Sequence, residues 1–201
     1  MGIMKSCILL CGGQSRRMGK DKGSLVIKEK PMIVHILDTL NNEVDEVIIV
    51  LNNKKRIEKY KKIITDEYSF SIRFAEDIIK DKGPLSGIMT GLKEMSSDYA
   101  LVLPCDSPFV SKDHVNYLFD EFNDSYDALI PFNDSENKVK SSEPLHGIYK
   151  KSNFVLIGKL IRKDILNIKG LIEKINCKFI KIENKKEYEN LNHPDDLNKF
   201  H

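Results

Sequence analysis

A glycine-rich and strongly basic loop follows the first apolar segment of the chain. The apolar run Cys7–Cys11 is short and ends at two glycines, which predicts a buried strand. Gly12 and Gly13 then open a loop that carries four cations within seven residues, namely Arg16, Arg17, Lys20 and Lys22. Glycines let backbone N–H groups approach an anion closely, and the cations neutralise its charge. The loop therefore indicates a phosphate site, with about the charge that a nucleoside triphosphate needs.

The loop does not match the common phosphate-binding motifs. A Walker A motif would need Ser or Thr after Gly19 and Lys20, where this chain has Asp21. The dinucleotide pattern G-x-G-x-x-G fails because Gln14 occupies the place of its second glycine. A solvated basic turn after a strand is the alternative, because a single glycine-rich loop is a weak signal.

Strands and helices alternate along the rest of the chain. Further strands or extended segments are predicted at Val47–Leu51, Ile72–Ala75, Tyr99–Leu103, Ala128–Pro131, Leu145–Tyr149 and Lys178–Ile182. Helices are predicted after Pro31, at Lys54–Ile64, up to about Met95, after a Ser111 cap, between Lys151 and Ile175, and from about Pro194. This alternation indicates an α/β fold in which a mainly parallel, twisted sheet carries helices on both faces. Because no Pro-, Ser- or Gly-rich linker interrupts it, we expect residues 1–201 to form one domain.

Polar residues stand where three of the later strands end. Asn52 follows the second strand, Asp77 the third and Asp106 the fourth. Parallel sheets bind ligands outside the carboxyl ends of their strands, near the point where the strand order reverses. We therefore expect these three side chains and the basic loop to lie around one cleft.

Asp106 has the setting of a magnesium ligand. It lies just after an apolar strand, between Pro104 and Pro108, and Mg²⁺ bound to phosphates usually takes one or two protein carboxylates. The alternative is an Asp that starts a turn or caps the next helix. Asp77 could accept hydrogen bonds from a nucleoside or bind a second ion, and a surface carboxylate is its alternative reading.

Composition limits the classes of function. The 201 residues include 32 basic and 30 acidic side chains, so a general nucleic-acid-binding surface is not indicated. No run of 18 apolar residues exists, so we expect no membrane span and, with the chain opening directly onto a strand, no signal peptide. The four cysteines lack metal-ligand spacing, which favours a reduced, cytoplasmic protein. Cys11 and Cys105 both lie near strand ends and could approach each other, so a redox pair is an alternative.

Taken together, these motifs resemble those of the molybdenum cofactor guanylyltransferases, the MobA family. Residues 10–22 are similar to its signature Leu-Ala-Gly-Gly-x-x-x-Arg-Met-Gly-x-Asp-Lys. The resemblance continues, in order along the chain, through Gly83–Gly87, Pro104–Pro108 and Asn190–Leu197. The opening motif is shared more loosely with sugar-phosphate, cytidylyl and uridylyl transferases of the same Rossmann-like nucleotidyltransferase fold.

The resemblance implies transfer of GMP from GTP to molybdopterin, with release of pyrophosphate and with Mg²⁺ as the cofactor. By position, it implies contacts with the guanosine and its ribose at Leu10, Cys11 and Gly12, and a close approach of the backbone to the nucleotide at Gly13. It implies further nucleoside contacts at Asn52 and Asp77. It implies triphosphate contacts at Arg17 and Lys22, Mg²⁺ at Asp106, and molybdopterin contacts at Asn190 and Asn192. Arg17, Lys22 and Asp106 are the catalytic residues in this interpretation. Catalysis would need no general base, because a phosphate monoester is already ionised near neutral pH.

The chain departs from the family pattern in three places. Cys11 replaces Ala, His193 replaces Thr, and the register near Asn52 is uncertain by one residue, so that Leu51 could hold the family position. Two alternatives remain at this stage. One is a transferase of the same fold with another base or acceptor, and the other is a catalytically silent nucleotide-binding module. Expected partners are GTP, molybdopterin and, transiently, the proteins that supply molybdopterin or receive the cofactor.

Overall fold

The computed structural model describes residues 4–12, 21–80, 82–133 and 137–191. Gly13 and Arg17 in the basic loop, Asn192, His193 and the helix predicted from Pro194 lie outside these ranges. Within them, no helix is long and apolar enough to cross a membrane.

Nine strands in the described ranges form two sheets. Their bounds are β1 Ser6–Leu10, β2 Val26–Ile27, β3 Lys30–Pro31, β4 Glu46–Leu51, β5 Ser71–Glu76, β6 Tyr99–Pro104, β7 Ala128–Phe132, β8 Ile148–Lys150 and β9 Cys177–Lys181. Seven of them make the main sheet in the order β5-β4-β1-β6-β8-β7-β9, and β2 and β3 form a small antiparallel pair. Only β8 runs antiparallel to its neighbours in the main sheet. The predicted mainly parallel sheet is confirmed.

Six α-helices of the described part of the chain cover the sheet. They are α1 Met32–Leu40, α2 Lys54–Ile63, α3 Gly83–Glu94, α4 Lys112–Glu121, α5 Asn153–Arg162 and α6 Ile168–Ile172. The predicted cap of α4 is confirmed, because the Ser111 side chain accepts a hydrogen bond from the backbone N–H of His114 at 3.1 Å. Asn53 caps α2 in the same way. The cap fixes where α2 begins, directly after the end of β4.

The two faces of the main sheet form two separate cores. Cys7 and Leu9 of β1 point to the face covered by α1 and α4, whereas Ile8 points to the face covered by α3 and α5. This alternation along a single strand is the period of two that a doubly covered sheet requires. A Cβ on Gly91 would lie 2.5 Å from Cγ2 of Ile8, so glycine lets α3 pack tightly on β1. The predicted helices on both faces are confirmed.

One extended segment was predicted wrongly. Leu145–Tyr149 was expected to be extended throughout, but Pro144–His146 forms a 3₁₀ turn and β8 begins only at Ile148. Pro144 suits the first turn of a helix because its φ is fixed, and the turn closes with His146 N–H bonded to Glu143 O at 3.0 Å. The turn places Leu145 beside the carboxyl ends of the parallel strands.

Candidate active site

A cavity of about 750 Å³ opens at the carboxyl ends of β1, β4, β5 and β6. β1 lies between β4 and β6, so this is the point where the strand order reverses. The cavity brings together seven of the residues predicted from the sequence: Leu10, Cys11, Gly12, Lys22, Asn52, Asp77 and Asp106. The first turn of α3 borders the same space with Gly83 and Pro84. The positive φ of 70° at Gly83 is one that glycine adopts without strain.

An ion pair between Lys22 and Asp106 lies in this cavity. The Lys22 Nζ is 2.7 Å from Oδ2 of Asp106, and the two side chains are 18% and 17% exposed. The short distance joins the basic loop to the end of β6. Because both groups keep access to the cavity, the ammonium can contact an anionic ligand and the carboxylate can contact a cation.

A second ion pair fixes the residue next to Lys22. The Arg56 guanidinium contacts both carboxylate oxygens of Asp21, with Nη2 at 2.6 Å from Oδ1 and Nε at 3.2 Å from Oδ2. The Tyr60 hydroxyl donates to Oδ1 at 2.6 Å. Burial, followed by the neighbouring thiols and Asp21, raises the pKa of Tyr60 far above 10, so the phenol stays protonated and remains a donor. The start of α2 thereby anchors the end of the basic loop.

Arg56 was not predicted from the sequence as a residue of the site. Most of this helix is exposed, but Arg56 and Asn52 both line the cavity. The sequence feature that could have identified Arg56 as a site residue is its position in the first turn of the helix that follows β4. Asp21 was likewise missed as an organising residue, because the sequence presents it only as the single anion among the loop cations.

Asn52 is held by the same arginine. Arg56 Nη1 donates to the Asn52 Oδ1 at 2.6 Å, which leaves the side-chain amide N–H groups for a ligand. Leu51, the alternative position in the uncertain register, is fully buried in the core. The structure therefore places Asn52, and not Leu51, at the cavity surface.

Asp77 is oriented by the first turns of α3. Its Oδ1 accepts hydrogen bonds from Ser86 Oγ at 2.5 Å, Thr90 Oγ1 at 3.0 Å and the backbone N–H of Ile79 at 3.3 Å. Three donors to one oxygen fix the carboxylate in place. This is the geometry of a preorganised acceptor at the cavity wall, in contrast to a solvated surface carboxylate.

The two cysteines predicted to approach each other do so on the cavity floor. Cys105 N–H donates to Leu10 O at 3.2 Å, and both cysteines line the cavity. Burial, then the neighbouring Cys105, raises the pKa of Cys11 well above its ordinary value of 9.0. A protonated, buried thiol is a poor nucleophile, which argues against a redox role for Cys11. The described residues contain no group of three or more His, Cys, Asp or Glu side chains that could hold a metal.

The C-terminal segment contacts the loop that carries Asp106. Leu191 N–H donates to the backbone oxygen of Asp106 at 2.9 Å, and the Asn190 Oδ1 accepts a hydrogen bond from the Ser107 hydroxyl. Of the two predicted acceptor-binding residues, Asn190 thus lies next to the predicted metal ligand. Ser107 was not predicted from the sequence, because only the tertiary contact with Asn190 distinguishes it from an ordinary turn serine.

The strand order and the polar cavity at its reversal define a nucleotidyltransferase-type α/β protein. The profile of the family described as "MobA-like NTP transferase domain" matches residues 7–174. The chain belongs to this family.

Individual relatives are similar over nearly the whole chain. A protein of Methanothermobacter thermautotrophicus, named probable molybdenum cofactor guanylyltransferase, is 34% identical over 98% of this chain and 99% of its own length. The molybdenum cofactor guanylyltransferase of Aliivibrio fischeri is 30% identical over 97% of this chain and 94% of its own. Among solved structures, molybdopterin-guanine dinucleotide biosynthesis protein A from Archaeoglobus fulgidus gives a TM-score of 0.77 at 25% identity, covering 97% of this chain and 96% of its own. A 4-diphosphocytidyl-2C-methyl-D-erythritol synthase from Anaerococcus prevotii shares the fold, with a TM-score of 0.76 at 16% identity over 98% of this chain and 94% of its own.

Proposed function

We propose that this protein transfers GMP from GTP to the terminal phosphate of molybdopterin, forming the guanine dinucleotide cofactor and pyrophosphate. The observation that carries the proposal is the Lys22–Asp106 ion pair inside a cavity at the strand-order reversal. A cation and an anion within one cavity suit a ligand that brings both phosphates and a metal ion. The chain's membership of the MobA-like family and its guanylyltransferase relatives support GTP and molybdopterin as substrates.

Each face of the cavity receives a proposed role. The nucleoside is assigned to the wall formed by the end of β1 and by two preorganised side chains, with contacts at Leu10, Cys11, Gly12, Asn52 and Asp77. The amide N–H groups of Asn52 offer donors, and the Asp77 carboxylate offers acceptors. The triphosphate is assigned to Lys22, with Arg17 and Gly13 from the preceding loop. The contacts with molybdopterin are assigned to Asn190 and Asn192.

Mg²⁺ fits the residues present. Asp106 is already paired with a cationic group through Oδ2, and no described residue donates a hydrogen bond to its Oδ1. The metal would be held by Asp106 together with phosphate oxygens of the nucleotide, which is common for Mg²⁺. When bound, it would neutralise phosphate charge.

The chemistry follows from positioning and charge. An oxygen of the acceptor's terminal phosphate forms a bond to the α-phosphorus of GTP, while the bond from that phosphorus to the bridging oxygen of the β-phosphate breaks. Pyrophosphate leaves with the bonding electrons, and Lys22 and Arg17 stabilise its developing charge. The acceptor phosphate is ionised near neutral pH, so no residue has to remove a proton. Asp21 and Arg56 hold Lys22 where this charge develops.

The proposal also covers where the reaction takes place and which proteins the enzyme contacts. GTP is a cytoplasmic nucleotide, so we place the reaction in the cytoplasm. Molybdopterin and its dinucleotide product are passed between proteins, and transient contacts with the proteins that supply and receive them belong to the same proposal.

The test is a transfer assay with a choice of nucleotides. Purified protein is incubated with Mg²⁺, molybdopterin and either GTP, CTP, ATP or UTP, and the products are identified by mass. The proposal requires the guanine dinucleotide and pyrophosphate with GTP. A preference for CTP would assign the protein to the cytidylyl transferases of this fold, and nucleotide-dependent thermal stabilisation without any transfer would indicate a silent binding module.

A further inference from the structure

A buried histidine and a buried serine connect the turn before β8 with Asn190. His146 Nε2 lies 3.0 Å from the Ser107 hydroxyl, and that hydroxyl donates to the Asn190 Oδ1. Ser107 is fully buried and His146 is 1% exposed, whereas Asn190 is only half-buried. The first two residues therefore cannot reach a ligand, but the third can.

The single proton of the hydroxyl gives this chain of hydrogen bonds a direction. Because Ser107 donates to Asn190, its oxygen must accept from His146, so the imidazole proton lies on Nε2. Nδ1 then carries a lone pair, and it has no hydrogen-bond partner among the described residues. Burial, then the charge of His114, lowers the pKa of His146 to about 3, so the ring stays neutral and keeps this polarity near neutral pH.

The direction determines what Asn190 offers to a ligand. Its carbonyl oxygen is occupied by Ser107, and within the described part of the chain nothing accepts from its Nδ2. The amide N–H groups are therefore the free face of this side chain. Two N–H donors beside the Asp106 loop suit a ligand that carries phosphate or carbonyl oxygens.

We propose that His146 and Ser107 are positioning residues, which turn Asn190 so that its amide N–H groups contact the molybdopterin acceptor. The inference rests on the proposed function, because it assigns these N–H groups to the second substrate. His146 and Ser107 act only through Asn190 and touch neither substrate.

The C-terminal segment is also held by contacts outside the relay, which is the hydrogen-bonded chain formed by His146, Ser107 and Asn190. Glu187 accepts from Ser111 and pairs with His114 Nδ1 at 3.1 Å, and Leu191 N–H is bonded to the Asp106 backbone.

Ring contacts add to these bonds. The Tyr188 ring packs 5.0 Å from the ring of His114, and at the same distance from the ring of His146. Breaking the relay should therefore release the rotation of the Asn190 side chain without releasing the segment.

The test compares substitutions that remove or keep the donor to Ser107. His146→Met and Ser107→Ala break the relay, whereas His146→Gln keeps a terminal N–H near the position of Nε2. We expect the first two to raise the KM for molybdopterin about five- to tenfold, the effect of one hydrogen bond, with the KM for GTP changed less than twofold. His146→Gln should restore the KM for molybdopterin to near the wild-type value. An unchanged KM in both relay variants would overturn the inference.

Matched variants separate this effect from loss of folding. Ser97→Ala removes another buried serine, which lies in a hydrogen-bonded cluster at the opposite end of the sheet, and should leave both KM values unchanged.

Asn190→Asp keeps the acceptor for Ser107 but removes both N–H donors, and it does not disturb the core. It should raise the KM for molybdopterin at least as much as Asn190→Ala, and a variant with wild-type KM would contradict the assigned polarity.

The outcome also distinguishes the inference from the proposed function. If the wild-type protein transfers no GMP to molybdopterin, the proposed function is wrong and the relay has no acceptor to position. If the wild-type protein is active and the relay variants match it in both KM values, only the inference is wrong.

Discussion

The main sheet carries a polar cluster at each end, and the two are built differently. At the amino ends of the strands, Glu46 is fully buried, and its Oε1 accepts from Ser6 Oγ and from the Ser96 backbone N–H, each at 2.6 Å. Its other oxygen faces Arg73 Nη2 at 3.5 Å. At the carboxyl ends, Lys22 and Asp106 pair across the edge of a 750 Å³ cavity and stay partly exposed. Both clusters contain charged groups, but Lys22 and Asp106 line the cavity where the strand order reverses, whereas the Glu46 carboxylate is fully enclosed by protein.

The difference shows what separates a structural polar cluster from a site. Burial alone would raise the pKa of Glu46, but the hydrogen bonds from Ser6 and Ser96 outweigh it and hold that pKa below its ordinary value of 4.5. That carboxylate stabilises the protein itself. At the cavity, the internal partners of Asp77 and Asn52 occupy one end of each side chain, and the other end is presented to a ligand. Changes at the two ends should therefore have opposite consequences.

The largest effect is expected for Asp106→Asn. Losing the carboxylate charge should lower kcat by roughly 10²–10³-fold, because charge stabilisation at the transferred phosphate is lost. The melting temperature should change little, since the side chain is partly exposed. Steady-state transfer kinetics and thermal unfolding measure both. Asp45→Asn makes the same change at the amino end, where its Oδ2 accepts from the Lys5 backbone N–H, and should retain full activity. Wild-type turnover in Asp106→Asn would contradict the assignment of Asp106.

Glu46→Ala should show the reverse pattern. Ser6 and Ser96 would lose their buried acceptor, so we expect the free energy of unfolding to fall by about 2–3 kcal/mol. The remaining folded protein should turn over within twofold of the wild-type rate at a temperature below its unfolding transition. Denaturant unfolding gives the stability. A large drop in kcat without loss of stability would show that this cluster acts on the site.

Arg56→Lys tests the anchor of the basic loop. A lysine cannot contact both oxygens of Asp21 and the Asn52 oxygen together, so we expect the Kd for GTP to rise about tenfold. Arg73→Lys is the matched change at the amino end and should leave GTP affinity unaltered. Calorimetric titration of GTP into each variant measures the effect. Equal GTP affinity in both variants would remove Arg56 from the account.

The smallest effect is the dependence of stability on pH. Because the folded pKa of Glu46 lies below its unfolded value, its contribution is complete above pH 4.5 and is lost as the pH falls through the folded pKa. The free energy of unfolding should therefore decline in this acid range, and Glu46→Gln should make the decline shallower. Denaturant unfolding at several acid pH values measures the slope. Parallel slopes in the two proteins would mean that other carboxylates dominate.

The sequence was sufficient for features that depend on local pattern. Apolar runs located β1, β4, β5 and β6, and the rule for parallel sheets then predicted that Asn52, Asp77 and Asp106 meet at one cavity, as they do. The Ser111 cap was predicted from residue type and position alone. These features follow from spacing along the chain, which a single sequence displays directly.

Other parts of the site depend on contacts between distant segments. Asp21 and Arg56 are 35 residues apart, and Ser107 and Asn190 are 83 apart. Nothing in the residue types pairs them, because an arginine in a Lys-rich helix or a serine in a turn is ordinarily solvated. The 3₁₀ turn that carries His146 was also missed, since its apolar residues fit an extended segment equally well.

The central claim is that this cavity transfers the α-phosphate of GTP to molybdopterin. The most direct measurement uses GTP labelled at the α-phosphorus, and follows the label in the wild-type protein and in Asp106→Asn. The account predicts label in the guanine dinucleotide product of the wild-type protein, unlabelled pyrophosphate, and almost no product from the variant. Label that stays in GTP, or that appears in GMP without a molybdopterin product, would contradict it.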